Sequence, residues 1–171
     1  MNSSRHRLIG LPALAVLISA AGCASPSTSD GGATLPVPRP GATAAKLCRN
    51  LDRVLPGTVD GLRRRDPRPA SALTAGWGGP AIILRCGVQR PPRMVDPRVA
   101  EGNDPDALSG EVNGVDWLME KQGDGSYRFT TALRQAYVEV TVDRARAGRA
   151  STVLVDLAPA VKKAIPKGIA S

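Results

Sequence analysis

The sequence predicts an α+β domain: a small, mostly antiparallel four-stranded sheet with an N-terminal and a C-terminal helix and one disulfide. Three observations carry this reading. Apolar residues recur at helical spacing after Ala44 and again after Val153. Four segments between them have strand character. Two cysteines, Cys48 and Cys86, fall on the apolar faces of the first helix and the first strand.

The elements follow in order. Ala44, Leu47, Cys48, Leu51, Val54 and Leu55 lie on one helical face, and Pro56-Gly57 ends the run. A loop carries a first arginine cluster and closes on Trp77-Gly78-Gly79-Pro80, where the glycines suit a turn with positive φ and Trp77 packs over the core edge. Ala81–Val88 is a near-continuous apolar strand, hence central, with Ile82, Leu84 and Cys86 on one face. Pro91–Ser109 reads as a long polar loop. Val112–Glu120 is a strand with Trp117 in the core, and Gly123–Ser126 turns it back into Tyr127–Thr131. Tyr137–Val142 alternates, with Val138, Val140 and Val142 opposite Glu139 and Thr141. Ser151 can cap a last helix through Val153, Leu154, Leu157, Val161, Ala164 and Ile165, kinked near Pro159. Residues 152–157 could instead form a fifth strand before a helix that has Pro159 at its first position.

The N-terminus has the layout of an export signal. Arg5 and Arg7 precede an apolar stretch, Leu8–Ile18, that is shorter than the ~20 residues a membrane span needs. Ala20-Ala21-Gly22-Cys23 follows and resembles the lipobox of bacterial lipoproteins, with Ala20 where that motif more often has leucine. The reading is a signal peptide over 1–22, Cys23 as the diacylglycerol- and palmitate-bearing first mature residue, a lipid-anchored flexible tether over 23–42, and a single domain over 43–171. Such a tether is rich in Ser, Thr, Pro and Gly and cannot bury enough apolar surface to offset its ordering entropy. The protein is expected at the extracytoplasmic face of the cell membrane. In that compartment an even pair of cysteines reads as a disulfide. A Cys48–Cys86 bond across this separation is worth about 4 kcal/mol on the loop-entropy model.

Leu47-Cys48, the run from Leu55 to Gly61, the run from Trp77 to Val88, Val115-Asp116-Trp117 and the run from Val153 to Leu157 resemble a family of actinobacterial membrane lipoproteins, known as domain of unknown function thirty-five-fifteen. The resemblance covers roughly Lys46–Leu157. It implies an exported, lipid-anchored protein with a cysteine pair, and no reaction.

Few catalytic chemistries are open to the chain. Its single histidine, His6, lies in the signal, so Ser-His-Asp and Cys-His catalysis and histidine-dependent metal sites are excluded. Paired and acylated cysteines leave no thiol nucleophile. No phosphate-binding glycine motif is present, and Asn103-Asp104-Pro105-Asp106 lacks the glycine and the terminal glutamate of a calcium loop. No catalytic residue, metal or cofactor is expected. Asp116, Glu120, Glu139 and Asp143 could in principle pair across strands, the arrangement a small carboxylate-dependent cell-wall hydrolase needs; solvated strand-face charges are the simpler reading.

Arginine is the stronger signal. The formal charge is +8, and the loss of Arg5 and Arg7 brings it to +6. Between Leu62 and Arg98 stand eight arginines against Asp66 and Asp96. Arg63, Arg64, Arg65, Arg68, Arg90 and Arg93 lie in two proline-containing loops and are the candidate anion-binding residues. The expected role is that of a non-enzymatic binding module, with anionic lipids, wall polymers or an envelope protein as partner. Nucleic acid is disfavoured by the compartment and by the scarcity of aromatics.

Overall fold

A computed structural model describes residues 34–170. The expected export signal and Cys23 lie outside the described residues. Helix α1 (Ala42–Asp52) turns Ala44, Cys48 and Leu51 inward. A small hairpin of β1 (Thr58–Val59) and β2 (Leu62–Arg63) follows. The main sheet is made of β3 (Thr74–Trp77), β4 (Ile82–Cys86), β5 (Ala107–Val112), β6 (Val115–Lys121), β7 (Tyr127–Ala132) and β8 (Val138–Val142). Its order is β3-β4-β8-β7-β6-β5, with every neighbour antiparallel. A one-turn helix α2 (Pro97–Ala100) lies between β4 and β5, and α3 (Ala150–Ala164) closes the chain.

The sheet therefore has six strands, not the expected four. Both missed strands are outer ones. All four residues of β3 are buried, so it shows no period-two alternation, and its glycine reads as a loop. β5 is a solvent-facing edge strand whose central residues, Leu108–Glu111, are all exposed. Its composition is that of a polar loop, and only pairing with β6 makes it a strand.

Residues 152–157 are helical. Val153, Leu154, Leu157 and Val161 share the buried side, while Val155 and Asp156 face solvent. This helical period prevails over the β-branched composition. Pro159 sits inside α3 on its exposed side, where water can satisfy the carbonyl that it leaves unpaired. Ser151 does not cap the helix: the N-cap position is Arg149, and no side chain caps it.

The last part of the expected tether packs on the domain. Residues 34–41 lie against the domain: the Leu35 N–H donates to the Arg68 carbonyl at 2.9 Å, and Pro38 is buried. Gly87, at φ +84°, has no room for a Cβ because Pro40 packs over it.

Both long helices cover one face of the sheet. Ala75 and Trp77 of β3, Leu84 and Cys86 of β4, Val138, Val140 and Val142 of β8, Phe129 of β7 and Trp117 of β6 meet α1 and α3 there in one continuous core. Cys48 and Cys86 are joined with Cα atoms 5.5 Å apart, stapling α1 to β4. The opposite face presents Arg85, Glu139, Arg128 and Glu120 from β4, β8, β7 and β6. A satellite cluster of Val99, Ala107, Leu118 and Met94 covers its β5–β6 end.

Candidate functional site

The six predicted arginines differ in what holds them. Arg63 is exposed on β2. Arg64 is occupied, with Nη2 2.5 Å from Asp52 Oδ1 and Nε 2.8 Å from Asp66 Oδ1. The Arg65 and Arg68 backbones fasten their loop to its neighbours: the Arg65 N–H donates to Gly76 at 2.7 Å, and the Arg68 carbonyl holds Leu35. Arg93 Nη1 lies 3.6 Å from Asp104 Oδ1. Arg90 is exposed and has no carboxylate partner among the described residues. The loops thus combine structural arginines with free ones, a distinction that composition does not carry.

A different arginine group does converge. The charged face of the sheet carries a ladder across four adjacent strands. Arg85 Nη1 of β4 lies 3.2 Å from Glu139 Oε1 of β8, directly opposite it in register. Arg128 of β7 holds Glu120 of β6 through two bonds, Nε to Oε2 at 3.0 Å and Nη2 to Oε1 at 3.1 Å. Over the β4–β8–β7 part of this ladder is a cleft of about 500 Å³. Arg85, Glu139 and Arg128 form its floor, and Pro38-Arg39 and the chain from Gly87 to Pro92 form its walls. Arg85 Nε is buried without a hydrogen-bond partner among the described residues. Of these guanidinium groups, sequence reasoning singled out only Arg90. Arg85 and Arg128 sit inside strands, and only strand pairing brings them together.

Three of the four carboxylates named for a hydrolase are engaged by other groups. Glu120 is 3 % exposed and bound by Arg128, and Glu139 is bound by Arg85. Asp143 accepts the Arg146 N–H at 3.1 Å, capping a short 3₁₀ turn. Asp116 stands opposite Glu111 and Ala132 in register, and Glu111 accepts the Gly114 N–H at 3.1 Å. Asp104 accepts the Asp106 N–H at 2.9 Å, an Asx turn that orders the loop. Among the described residues, no group of three or more Asp, Glu, His or Cys could hold a metal ion.

Two further features escaped the sequence reading. Asp60, at φ +47° in the β1–β2 turn, has a fully buried side chain held by Arg146 and by Arg149 at 2.6 Å. Its own N–H donates to Asp156 of α3 at 2.8 Å. The Arg149 hydrogen bond, with help from Arg146, outweighs burial and holds the Asp60 carboxyl below the ordinary aspartate range. This clamp ties the hairpin to the start of α3. The second feature is an apolar groove of about 380 Å³ on the helix-covered face, between Leu108, Trp117, Met119, Tyr127 and Phe129 and the small residues that begin α3.

A family model described as "Protein of unknown function (DUF3515)" matches residues 8–170. The chain belongs to this family. No curated protein and no solved structure gives a significant match. Membership in DUF3515 spans the whole domain and brings no assigned reaction, so the activity has to be read from the geometry.

Proposed function

We propose that the protein is an exported, lipid-anchored binding module of the cell envelope, non-enzymatic, with an anionic lipid or wall polymer as its target. The observation that carries this is the contrast between its charges. The strand carboxylates of the charged face are bound by arginines, whereas Arg39, Arg63 and Arg90 project from the surface without carboxylate partners among the described residues. Guanidinium groups pair bidentately with phosphoryl and carboxyl oxygens, and clustered basic charge near a membrane surface is attracted to it. The Ala20-Ala21-Gly22-Cys23 run supports the anchor, and the Cys48–Cys86 bond fits an oxidising compartment.

Two measurements test the reading. Cys23→Ala is expected to move the protein from the membrane fraction to the soluble one, and retention of a cleaved Cys23→Ala chain in membranes overturns the anchor. The soluble chain is expected to sediment with anionic vesicles or purified wall polymer at low salt and to be released at high salt. Absence of sedimentation with either overturns the binding reading.

A further inference from the structure

We propose that the cleft over β4, β8 and β7 is a binding site for a phosphoryl group. The inference rests on the reading of the chain as a module that binds anions, and it names the site and the ligand chemistry. Four arginines, Arg39, Arg85, Arg90 and Arg128, are among the residues that line one cavity of about 500 Å³, with Glu139 as the single acidic residue among its described lining residues. They come from three separate parts of the chain, the segment before α1, β4 with the loop that leaves it, and β7, so local sequence alone does not account for their convergence.

The ladder below shows which charges are already satisfied. Glu139 takes Arg85 at 3.2 Å and Glu120 takes both nitrogens of the Arg128 fork. Arg39 and Arg90 have no carboxylate within ion-pair distance among the described residues, and both are exposed. Like charges held around one cavity repel, and an anion in the cavity relieves that repulsion.

Charge and acceptor number together select the ligand. A carboxylate brings two oxygens and a single charge, so it neutralises only one of the two unpaired arginines, Arg39 and Arg90. A terminal phosphoryl group offers three strong acceptor oxygens and up to two charges, enough for forks from Arg39 and Arg90 with the ladder beneath. The cleft is wide enough to admit a phosphoryl group that carries a substituent, so lipid headgroups, polymer phosphates and free phosphate share the chemistry that it recognises.

The test uses the purified chain with its disulfide intact and compares it with Arg39→Ala/Arg90→Ala. An Arg53→Ala/Lys163→Ala variant removes the same charge from exposed positions outside the cleft. Isothermal titration with inorganic phosphate, against acetate at equal ionic strength, reads the shared chemistry. Sedimentation with phosphatidylcholine vesicles containing phosphatidic acid reads the lipid source. The proposal expects phosphate to bind at least ten-fold tighter than acetate, with at least a ten-fold loss in the cleft variant and under two-fold in the charge-matched variant. Vesicle binding that falls with the cleft variant assigns a lipid headgroup, and phosphate binding without vesicle binding assigns a soluble or polymer phosphate. Equal losses in the two variants overturn the cleft while leaving a diffuse anionic surface standing. Absence of phosphate binding by the parent chain overturns the cleft outright. Arg90→Lys, which keeps the charge and removes the fork, is expected to recover less than half of the lost affinity; full recovery overturns bidentate recognition.

Discussion

Leu84 and Arg85 are adjacent on β4 and point to opposite faces of the same sheet. Leu84 is 1 % exposed among the valines of β8 and the residues of α1 and α3. Arg85 is part-exposed and pairs with Glu139 across to the same strand β8. Val140 and Glu139 repeat the contrast one strand away. One face gains its free energy from apolar area removed from water, which depends little on direction or salt. The other is held by ion pairs whose Coulomb gain is offset by desolvation and screening. The helix-covered face holds the fold, and the charged face carries the ladder beneath the proposed phosphoryl site.

Changes on the apolar face test that division most severely. Removal of the staple by Cys48→Ala/Cys86→Ala is expected to cost about 4 kcal/mol, read as a lower unfolding midpoint in urea. Leu84→Ala is expected to cost about 2–5 kcal/mol through lost transfer energy and a residual cavity. Asp60→Asn keeps the shape and removes the charge that Arg146 and Arg149 face; since both arginines reach solvent, the expected cost is about 1–3 kcal/mol.

The pH dependence follows from the direction of the Asp60 shift. Its folded carboxyl titrates below the unfolded value near 4, so the folded state favours the ionised form. The stabilisation is fully present above the unfolded value and is lost as pH falls through the lowered folded value. The stability gap between the parent chain and Asp60→Asn should therefore be constant at neutral pH and narrow below about pH 4. A gap independent of pH would assign the cost of Asp60→Asn to packing. On the charged face the expected changes are smaller. Arg85→Ala with Glu139→Ala should together cost about 1 kcal/mol or less, because both members of the pair go at once. Thermal unfolding of Arg63→Ala should match the parent within about 0.5 kcal/mol.

Much of the core was legible because periodicity reports burial on one face. The run from Ala44 to Leu51, the alternation of Val138, Val140 and Val142 and the Cys48–Cys86 pair all stand where their spacing placed them. The outer strands were not, since β3 is buried throughout and β5 is exposed along its centre, and neither pattern has a period. The candidate site was legible only in part. Composition marked arginine as the residue to follow, and it marked Arg90. It could not tell Arg64, fastened to Asp52 and Asp66, from Arg90, which is free. Nor could it bring Arg39, Arg85 and Arg128 together, because their proximity is a product of strand order β4-β8-β7 and of an N-terminal segment packed by Pro38 and Pro40. Asp60 was hidden for a related reason: its partners are more than eighty residues away in the chain.

Urea unfolding of the parent chain and of Arg39→Ala/Arg90→Ala, each with and without inorganic phosphate, tests the division of the two faces most directly. Without phosphate the two midpoints should coincide, since neither side chain supports the core. With phosphate well above its dissociation constant, the parent midpoint should rise and the variant's should not, because a ligand that binds only the folded state stabilises it by mass action. A variant that unfolds early without phosphate, or a parent that phosphate does not stabilise, would contradict the account.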